Sequence, residues 1–510
     1  MVCKVTTSTV IGLNAYKIEV EVDLSNSLPS VAIVGLPDTA VTEARERVRS
    51  AIKNSSFSFP QKKVVINLAP ADIRKEGTNF DLPIAIGILI EEGVIKEEQT
   101  QNMAFLGELS LDGTLRGING TLSHILGLKE NGVKTVVVPE DNAKEASLAE
   151  DITILSAKNL NEVVNHFIDE PLPVVKTNIE EYLQHGIEEH YLYDFKDVKG
   201  QQKAKKALEI AAAGGHNMIM VGTPGSGKTL MAKCFASILP PLELSEALEL
   251  TKIYSISGLL ANDEPLMTKR PFRAVHHTAS ANGIIGGGTN PKPGEITLAH
   301  RGVLFLDEIV EFPRNVLEVL RQPIEDGEVV ISRAKHSIKY PADFILLAAM
   351  NPCPCGFLGD KEKQCTCSEF QINRYRSKLS GPLLDRIDIQ IDVPRLTTDE
   401  LINTETEAES SAEIRKRVVG ARKIQKERYK NVGILTNSQL TADLVKKYCQ
   451  VDEGSKDILK LAVAKYQLSG RRYDRVLKLS RTIADLDNSE IITSKHITQA
   501  LQYRFNEPEY

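Results

Sequence analysis

A strand-sized apolar run, Met218-Ile219-Met220-Val221, leads without a gap into Gly222-Thr223-Pro224-Gly225-Ser226-Gly227-Lys228-Thr229, and a helical stretch, Leu230–Ile238, follows. No other feature constrains the fold as strongly. A G-x-x-x-x-G-K-T loop between strand and helix lets backbone amides curl around phosphate groups, while the helix N-terminus adds partial positive charge. The surrounding region is therefore expected to be a parallel α/β sheet that holds a nucleoside triphosphate at the C-terminal edge of its strands. Gly222 to Gly227 form the cradle, Lys228 reaches the β- and γ-phosphates, and the Thr229 hydroxyl joins the Mg²⁺ shell.

Val303-Leu304-Phe305-Leu306 reads as a second buried strand ending in two carboxylates. Asp307 is placed to hold Mg²⁺ and Glu308 to polarise an attacking water as general base. A third apolar run, Leu346-Leu347-Ala348-Ala349-Met350, delivers Asn351 to the same edge. A neutral amide there can orient the water or touch the γ-phosphate.

At 510 residues the chain is expected to carry about three domains. Residues 1–168 interleave short strands with helical patterns and form an α/β unit; 169–193, with Pro171 and Pro173, read as a linker. Residues 194–394 carry the nucleotide motifs, and 395–510 are helical in pattern. With 42% hydrophobic and 25% charged residues, the composition is that of an ordinary globular protein. The net charge of -6 excludes a wholesale basic nucleic-acid coat but leaves room for local basic patches. The N-terminus alternates like a strand and reads as no signal peptide, and the longest apolar run, Leu82–Ile90, is about half the ~20 residues of a membrane span. No membrane contact and a cytoplasmic location are the expectation.

Four cysteines, Cys353, Cys355, Cys365 and Cys367, form a C-x-C…C-x-C array inside a short polar insertion. In a reducing compartment such a cluster suits tetrahedral Zn²⁺ in a closed, structural site. The insertion has few apolar residues, so metal would supply its ordering energy.

The three strands, together with Ser380-Gly381-Pro382-Leu383-Leu384-Asp385-Arg386-Ile387-Asp388, resemble the AAA+ ATPases of the magnesium-chelatase-like branch. Asp197-Val198-Lys199-Gly200-Gln201, Phe272–Thr278, Lys292–His300 and Asn351–Gly356 narrow the resemblance to the YifB/ComM family, with Val275 where the family usually has proline. The resemblance implies an ATP- and Mg²⁺-dependent homo-oligomeric ring, a hexamer. Within it Asn351 is sensor 1, and Arg386 is an arginine finger acting on the neighbouring subunit's ATP. Arg471 is the sensor-2 arginine of an all-α lid, with Arg475 the alternative, and Val198, Gly200 and Gln201 line the adenine pocket. Residues 1–168 resemble the Lon-protease-like domain of the S5 fold. Asn79 or Asp81 stands at its serine position and Leu122 at its lysine position, so the Ser–Lys pair is missing and a scaffold or ligand-binding role remains.

Three substrates compete for such a motor. The family implies DNA, single-stranded or branched, moved in translocation or branch migration. A hairpin at 329–340 would then contact phosphates through Arg333, Lys335 and Lys339. The alternatives are a chelatase-like motor acting on a porphyrin and a protein-remodelling ATPase. Adjacent His276 and His277 face different directions on a regular backbone and read as a structural or DNA-facing loop rather than a metal pair.

Overall fold

The computed structural model describes residues 2–188, 191–261, 263–288, 291–332, 337–396 and 408–504. They form two compact units: Met1–Gly186 with Glu243–Thr268, and Ile187–Leu242 with Lys269–Tyr510.

The first unit is built on a sheet whose strands run, edge to edge, Val174–Val175, Thr153–Ala157, Thr135–Pro139, Met103–Phe105, Cys3–Ile11, Asn14–Ser25, Lys63–Ala69 and Ser30–Val34. Strand alternation sends neighbouring side chains to opposite faces. On one face, Val5 and Val22 pack at Gly87 of the Asp81–Glu91 helix. Ser8, of the other parity, hydrogen-bonds His124 of the Thr121–Glu130 helix. The sheet is thus covered on both sides. The Leu82–Ile90 run is this core helix, buried from Asp81 to Leu89.

The excursion Glu243–Thr268, expected to lie in the nucleotide region, belongs to the first unit instead. Its helix, Leu244–Ile256, buries Ala247, Leu250, Ile253 and Tyr254 on one face, packs on the Thr121–Glu130 helix, and accepts the Gly120 N–H at Ser255 Oγ (2.9 Å). The stretch read as a linker also contains a helix, Ile179–Glu188.

The second unit holds a five-stranded sheet in the order Phe272–Val275, Val303–Leu306, Ile345–Met350, Met218–Gly222, Ile389–Val393. Every neighbouring pair is parallel. Strands buried on both faces need continuous apolar runs, and Val303–Leu306 and Ile345–Met350 are buried throughout. Helices Gln202–Gly214 and Lys228–Ile238 pack with the C-terminal helices Ser411–Tyr429, Gly470–Leu486 and Ser494–Arg504 in one continuous core. A buried polar chain ties these layers together. His216 bonds Asp388 (3.1 Å) and Thr482 (2.7 Å), Asn437 bonds Thr482 (3.0 Å) and Asp485 (2.8 Å), and Arg428 forks onto Asp485 (2.6 and 2.9 Å).

Candidate nucleotide site

The central strand Met218–Gly222 ends in the glycine loop, and the Lys228–Ile238 helix starts at its far side. Gly227 sits at φ 91°, a left-handed turn that a side chain would strain. Pro224 to Leu230, Asp307, Glu308, Met350 and Asn351 line a pocket of about 460 Å³. Lys228 Nζ donates to the carbonyls of Gly222 (2.8 Å) and Thr223 (3.0 Å) and lies 3.5 Å from Asn351 Oδ1. Burial pulls its pKa down, which Asp307 and Glu308 partly oppose. Thr229 Oγ1 donates to Asp307 Oδ2 at 2.8 Å, so the two ligands expected for Mg²⁺ meet across the strand ends.

Thr223 Oγ1 and Ser226 Oγ are buried in the loop without a hydrogen-bond partner. A buried hydroxyl left unpaired is costly. Phosphate oxygens would satisfy both, and with Lys228 they make the loop fit a triphosphate. Val198 is buried, and Gly200 and Gln201 follow with φ 54° and 55°. Gln201 Nε2 bridges the carbonyls of Pro394 (2.7 Å) and Ser226 (3.4 Å), tying this segment to the phosphate loop.

Arg386, Arg471 and Arg475 do not line this pocket, where Lys228 is the one cation among the described residues. They converge instead on Glu325. Arg386 pairs with it directly and also bonds the Pro382 carbonyl at 2.8 Å. The Arg386 hydrogen bond, then the charges of Arg386, Arg471 and Arg475, hold Glu325 below the usual carboxylate range against its desolvation. Glu325 carried no signal in the sequence.

The four cysteine sulfurs lie within 4.8 Å of one another. Cys353, Cys355 and Cys365 are separated by 3.4 to 3.6 Å, too far for a disulfide, and all four thiols are free. A Zn–S bond of ~2.3 Å in a tetrahedron sets sulfur–sulfur edges of about 3.8 Å. The donor set therefore fits zinc. Burial raises the Cys355 thiol, but hydrogen bonds from the N–H groups of Phe357 and Thr366 and from the Cys353 and Cys367 thiols together outweigh it and bring the pKa to about 6. The loop also leans on the phosphate cradle: a Cβ on Gly356 would stand 2.8 Å from Cγ and Cδ of Pro224.

Family comparison agrees with this geometry. Residues 194–401 match "Magnesium chelatase, subunit ChlI", 20–142 match "Subunit ChlI of Mg-chelatase", and 408–504 match its C-terminal part. Competence protein ComM of Haemophilus influenzae is 43% identical over 97% of this chain and 95% of its own. The chain belongs to the ComM/YifB family of magnesium-chelatase-like AAA+ ATPases. YifB of Escherichia coli is 42% identical over 98% of this chain and 96% of its own. Lon protease 2 of Bacillus subtilis is 30% identical over 31% of this chain and 33% of its own length.

In this ComM/YifB chain the residues expected at the Ser–Lys positions make other contacts. Asn79 Nδ2 donates to the Ser8 carbonyl (2.9 Å), and Asp81 accepts two N–H groups of Arg47 (2.7 and 2.9 Å). Burial pushes Asp81 up to about 6 despite Arg47. Leu122 offers only its backbone N–H, to Glu145 Oε1 at 2.8 Å. The Ser8–His124 pair (2.8 Å) looks nucleophile-like, but both residues are buried and burial brings His124 down to about 4. The pair is structural.

The expected hairpin forms from Glu328–Ser332 and Ser337–Pro341. Lys339 is on it, paired with Glu328 at 2.8 Å, and that bond raises its pKa. Arg333 and Lys335 lie outside the described residues. His277, expected in a structural or DNA-facing loop, stands beside Glu308, 4.0 Å from its carboxylate.

Proposed function

We propose that this ATPase works as a homo-oligomeric ring, a hexamer, in which each subunit binds ATP on its phosphate loop and its neighbour supplies Arg386. The observation that carries the reading is the division of charge. The pocket has the groups to bind phosphate and activate water, yet holds a single cation, while three arginines gather on Glu325 outside its lining. A guanidinium fork from outside offsets charge on the transferring phosphoryl oxygens. Mg²⁺, held through Thr229 and Asp307, would neutralise charge on the β- and γ-oxygens. Glu308 takes the proton of the attacking water, Asn351 orients that water, and Lys228 stays on the phosphates. Zn²⁺ on the four cysteines would be structural, since they leave no open position.

The track we infer is DNA. The similarity to a competence protein supports it, as does the hairpin with Lys339 on its second strand; Arg333 and Lys335 fall between its two strands in the sequence. Contacts of that kind are electrostatic and sequence-tolerant. Single-stranded or branched DNA should accelerate a slow basal ATPase, with salt-sensitive binding. Replacing Lys339, Arg333 and Lys335 by Ala should keep basal turnover and lose the stimulation. Mixed rings of Arg386→Ala and Lys228→Ala chains should recover turnover that neither has alone. A basal rate indifferent to every DNA structure would move the weight to a chelatase-like or protein-remodelling role, and no recovery in rings shown to have mixed would end the shared-site reading.

A further inference from the structure

The first unit holds a cavity of about 170 Å³ that the nucleotide chemistry does not use. Ile118, Asn119 and the Glu140–Ala146 helix make one wall, and the segment from Ser255 to Pro265 makes the other. Ser255 Oγ accepts the Gly120 N–H (2.9 Å), which ties the two walls together. Asn142 clamps Ile118 through its N–H (2.8 Å) and its carbonyl (3.0 Å). The space is far more than the roughly 10–15 Å³ that one water needs, so it is no packing fault.

Glu145 lines this cavity with 6% of its surface exposed. Its carboxyl takes hydrogen bonds from the Leu122 N–H (2.8 Å), Ser255 and Asn142, yet no cation pairs with it among the described residues. Leu122, at the position where the Lon-like resemblance implies lysine, supplies an amide N–H and no ammonium. Burial pushes the carboxyl up to about 7, as it does a charge without a counter-charge.

Most donors on the lining are already spent. The Ser255 hydroxyl gives its hydrogen to Glu145, and the Asn142 amide divides its two between Glu145 and the Ile118 carbonyl. What the lining still offers is chiefly acceptors: the Glu145 oxygens, the exposed Asp141 carboxylate and the exposed Asn119 amide. No Lys, Arg or His is among the described residues of the lining, and Ile118, Leu260 and Pro265 add an apolar flank. A divalent metal wants several oxygen ligands close together, whereas among the described residues only the four cysteines cluster tightly enough for an ion.

We infer that this cavity binds a small primary amine, its ammonium held by Glu145 with Asp141 at the rim and its alkyl stem against Leu260 and Pro265. The ligand brings the donors and the positive charge that the lining lacks. The inference is independent of the ATPase reading, since it uses none of the nucleotide groups. A primary alkylamine, like the lysine side chain with its pKa of about 10.4, stays charged at neutral pH. The pH dependence of binding therefore comes from the protein. Asp141 is the one other titratable side chain among the described residues of the lining, and binding needs Glu145 ionised.

The test is calorimetric titration of the full chain with n-butylamine and with putrescine at pH 8 and pH 6, beside n-butanol and MgCl₂ as controls. Both amines should saturate one site at pH 8 and bind about tenfold more weakly at pH 6, where a group of pKa about 7 is mostly protonated. Glu145→Gln should lower the affinity at pH 8 about ten- to a hundredfold, as the loss of a buried charge-assisted hydrogen bond does. Asp141→Asn, at an exposed position, should lower it about two- to fivefold. Glu145→Gln should melt as the wild type does at pH 5, where the wild-type carboxyl is also neutral, so that weakened binding is not lost folding. Should that variant fail to fold, the pH arm and Asp141→Asn still decide. No saturation at millimolar amine overturns the inference, as does binding that neither pH nor either substitution alters. Displacement of the amine by n-butanol or by Mg²⁺ overturns it too, because the site would then select an apolar body or a metal.

Discussion

Gly356 offers the sharpest probe of how the four-cysteine loop and the phosphate cradle depend on each other. It follows Cys355 in the knuckle and has φ 84°, and a Cβ added there would stand 2.8 Å from two ring carbons of Pro224, in the phosphate loop. Gly356→Ala therefore carries two costs. A left-handed backbone costs an L-residue roughly 1–2 kcal/mol. Overpacking against a rigid ring adds roughly 1–3 kcal/mol. The sum is about 2–5 kcal/mol, and the structure can relieve the second part only by shifting the cysteine loop or Pro224. Each 1.4 kcal/mol of displaced cradle geometry is about tenfold in affinity, so ATP binding should weaken by tenfold or more. Gly132→Ala is the control: φ is 82° and nothing lies within 4 Å of the added Cβ, so it carries the backbone cost alone. Calorimetric ATP titration, with zinc content and thermal melting measured on the same samples, separates the two variants. Gly356→Ala binding ATP and zinc as the wild type does, at equal stability, would refute any mechanical link between knuckle and cradle.

Glu308→Gln should bind ATP and stop turning it over, whereas Lys228→Ala should lose binding itself; isothermal titration beside a phosphate-release assay distinguishes them. Purified protein should carry about one zinc per chain, and Cys353→Ser should lose it together with thermal stability, as metal analysis and melting will show. Glu145 is buried with no cationic partner among the described residues, and burial pushes it from 4.5 up to about 7 against hydrogen bonds from Ser255, the Leu122 N–H and Asn142. A raised folded pKa means stability that is fully present below about pH 4.5 and is lost as pH rises through about 7. The difference amounts to roughly 3 kcal/mol. Glu145→Gln should flatten that slope in denaturant titrations between pH 5 and 8.5, and an unchanged slope would clear Glu145 of it.

Where a signal was local, the sequence carried it. The Val303–Leu306 strand appears with the bounds its pattern suggests. The phosphate loop sits in the strand–loop–helix setting its glycines demand. What a pattern cannot name is the surface it is buried against. The Leu244–Ile256 helix advertises an apolar stripe, but nothing in Ala247 or Ile253 says that the stripe meets the Thr121–Glu130 helix, more than a hundred positions earlier in the chain but in the same unit. Asn79, Asp81 and Leu122 could be read as departures from a Ser–Lys pair, while their partners Ser8, Arg47 and Glu145 lie 71, 34 and 23 positions away. Pro171 and Pro173 break the local pattern just before the short, ten-residue Ile179–Glu188 helix. The closeness of His277 to Glu308 and the pairing of Glu325 with Arg386 arise only from tertiary folding, which no local pattern names.

The arginine cluster also bears on whether Arg471 or Arg475 would be the sensor-2 residue of the proposed ring. Arg475 approaches Asp388 at 3.9 Å, and its Nη1 is buried without a partner. Swinging it outward would leave Asp388, buried and already engaged by His216, with one cation fewer. Arg472 is committed to Asp385 at 3.1 Å. Arg471, at the start of the Gly470–Leu486 helix, is exposed and biases Glu325 only through space. Between two candidate lid arginines, the one with fewer contacts to break turns more easily toward a phosphate. On that ground Arg471 is the better candidate for sensor 2 in the proposed ring. Arg386 is the costlier mover, because it must exchange Glu325 for the γ-phosphate. In the proposed ring that exchange would favour the assembled state only when ATP takes the carboxylate's place, which would link ring closure to nucleotide occupancy through one side chain.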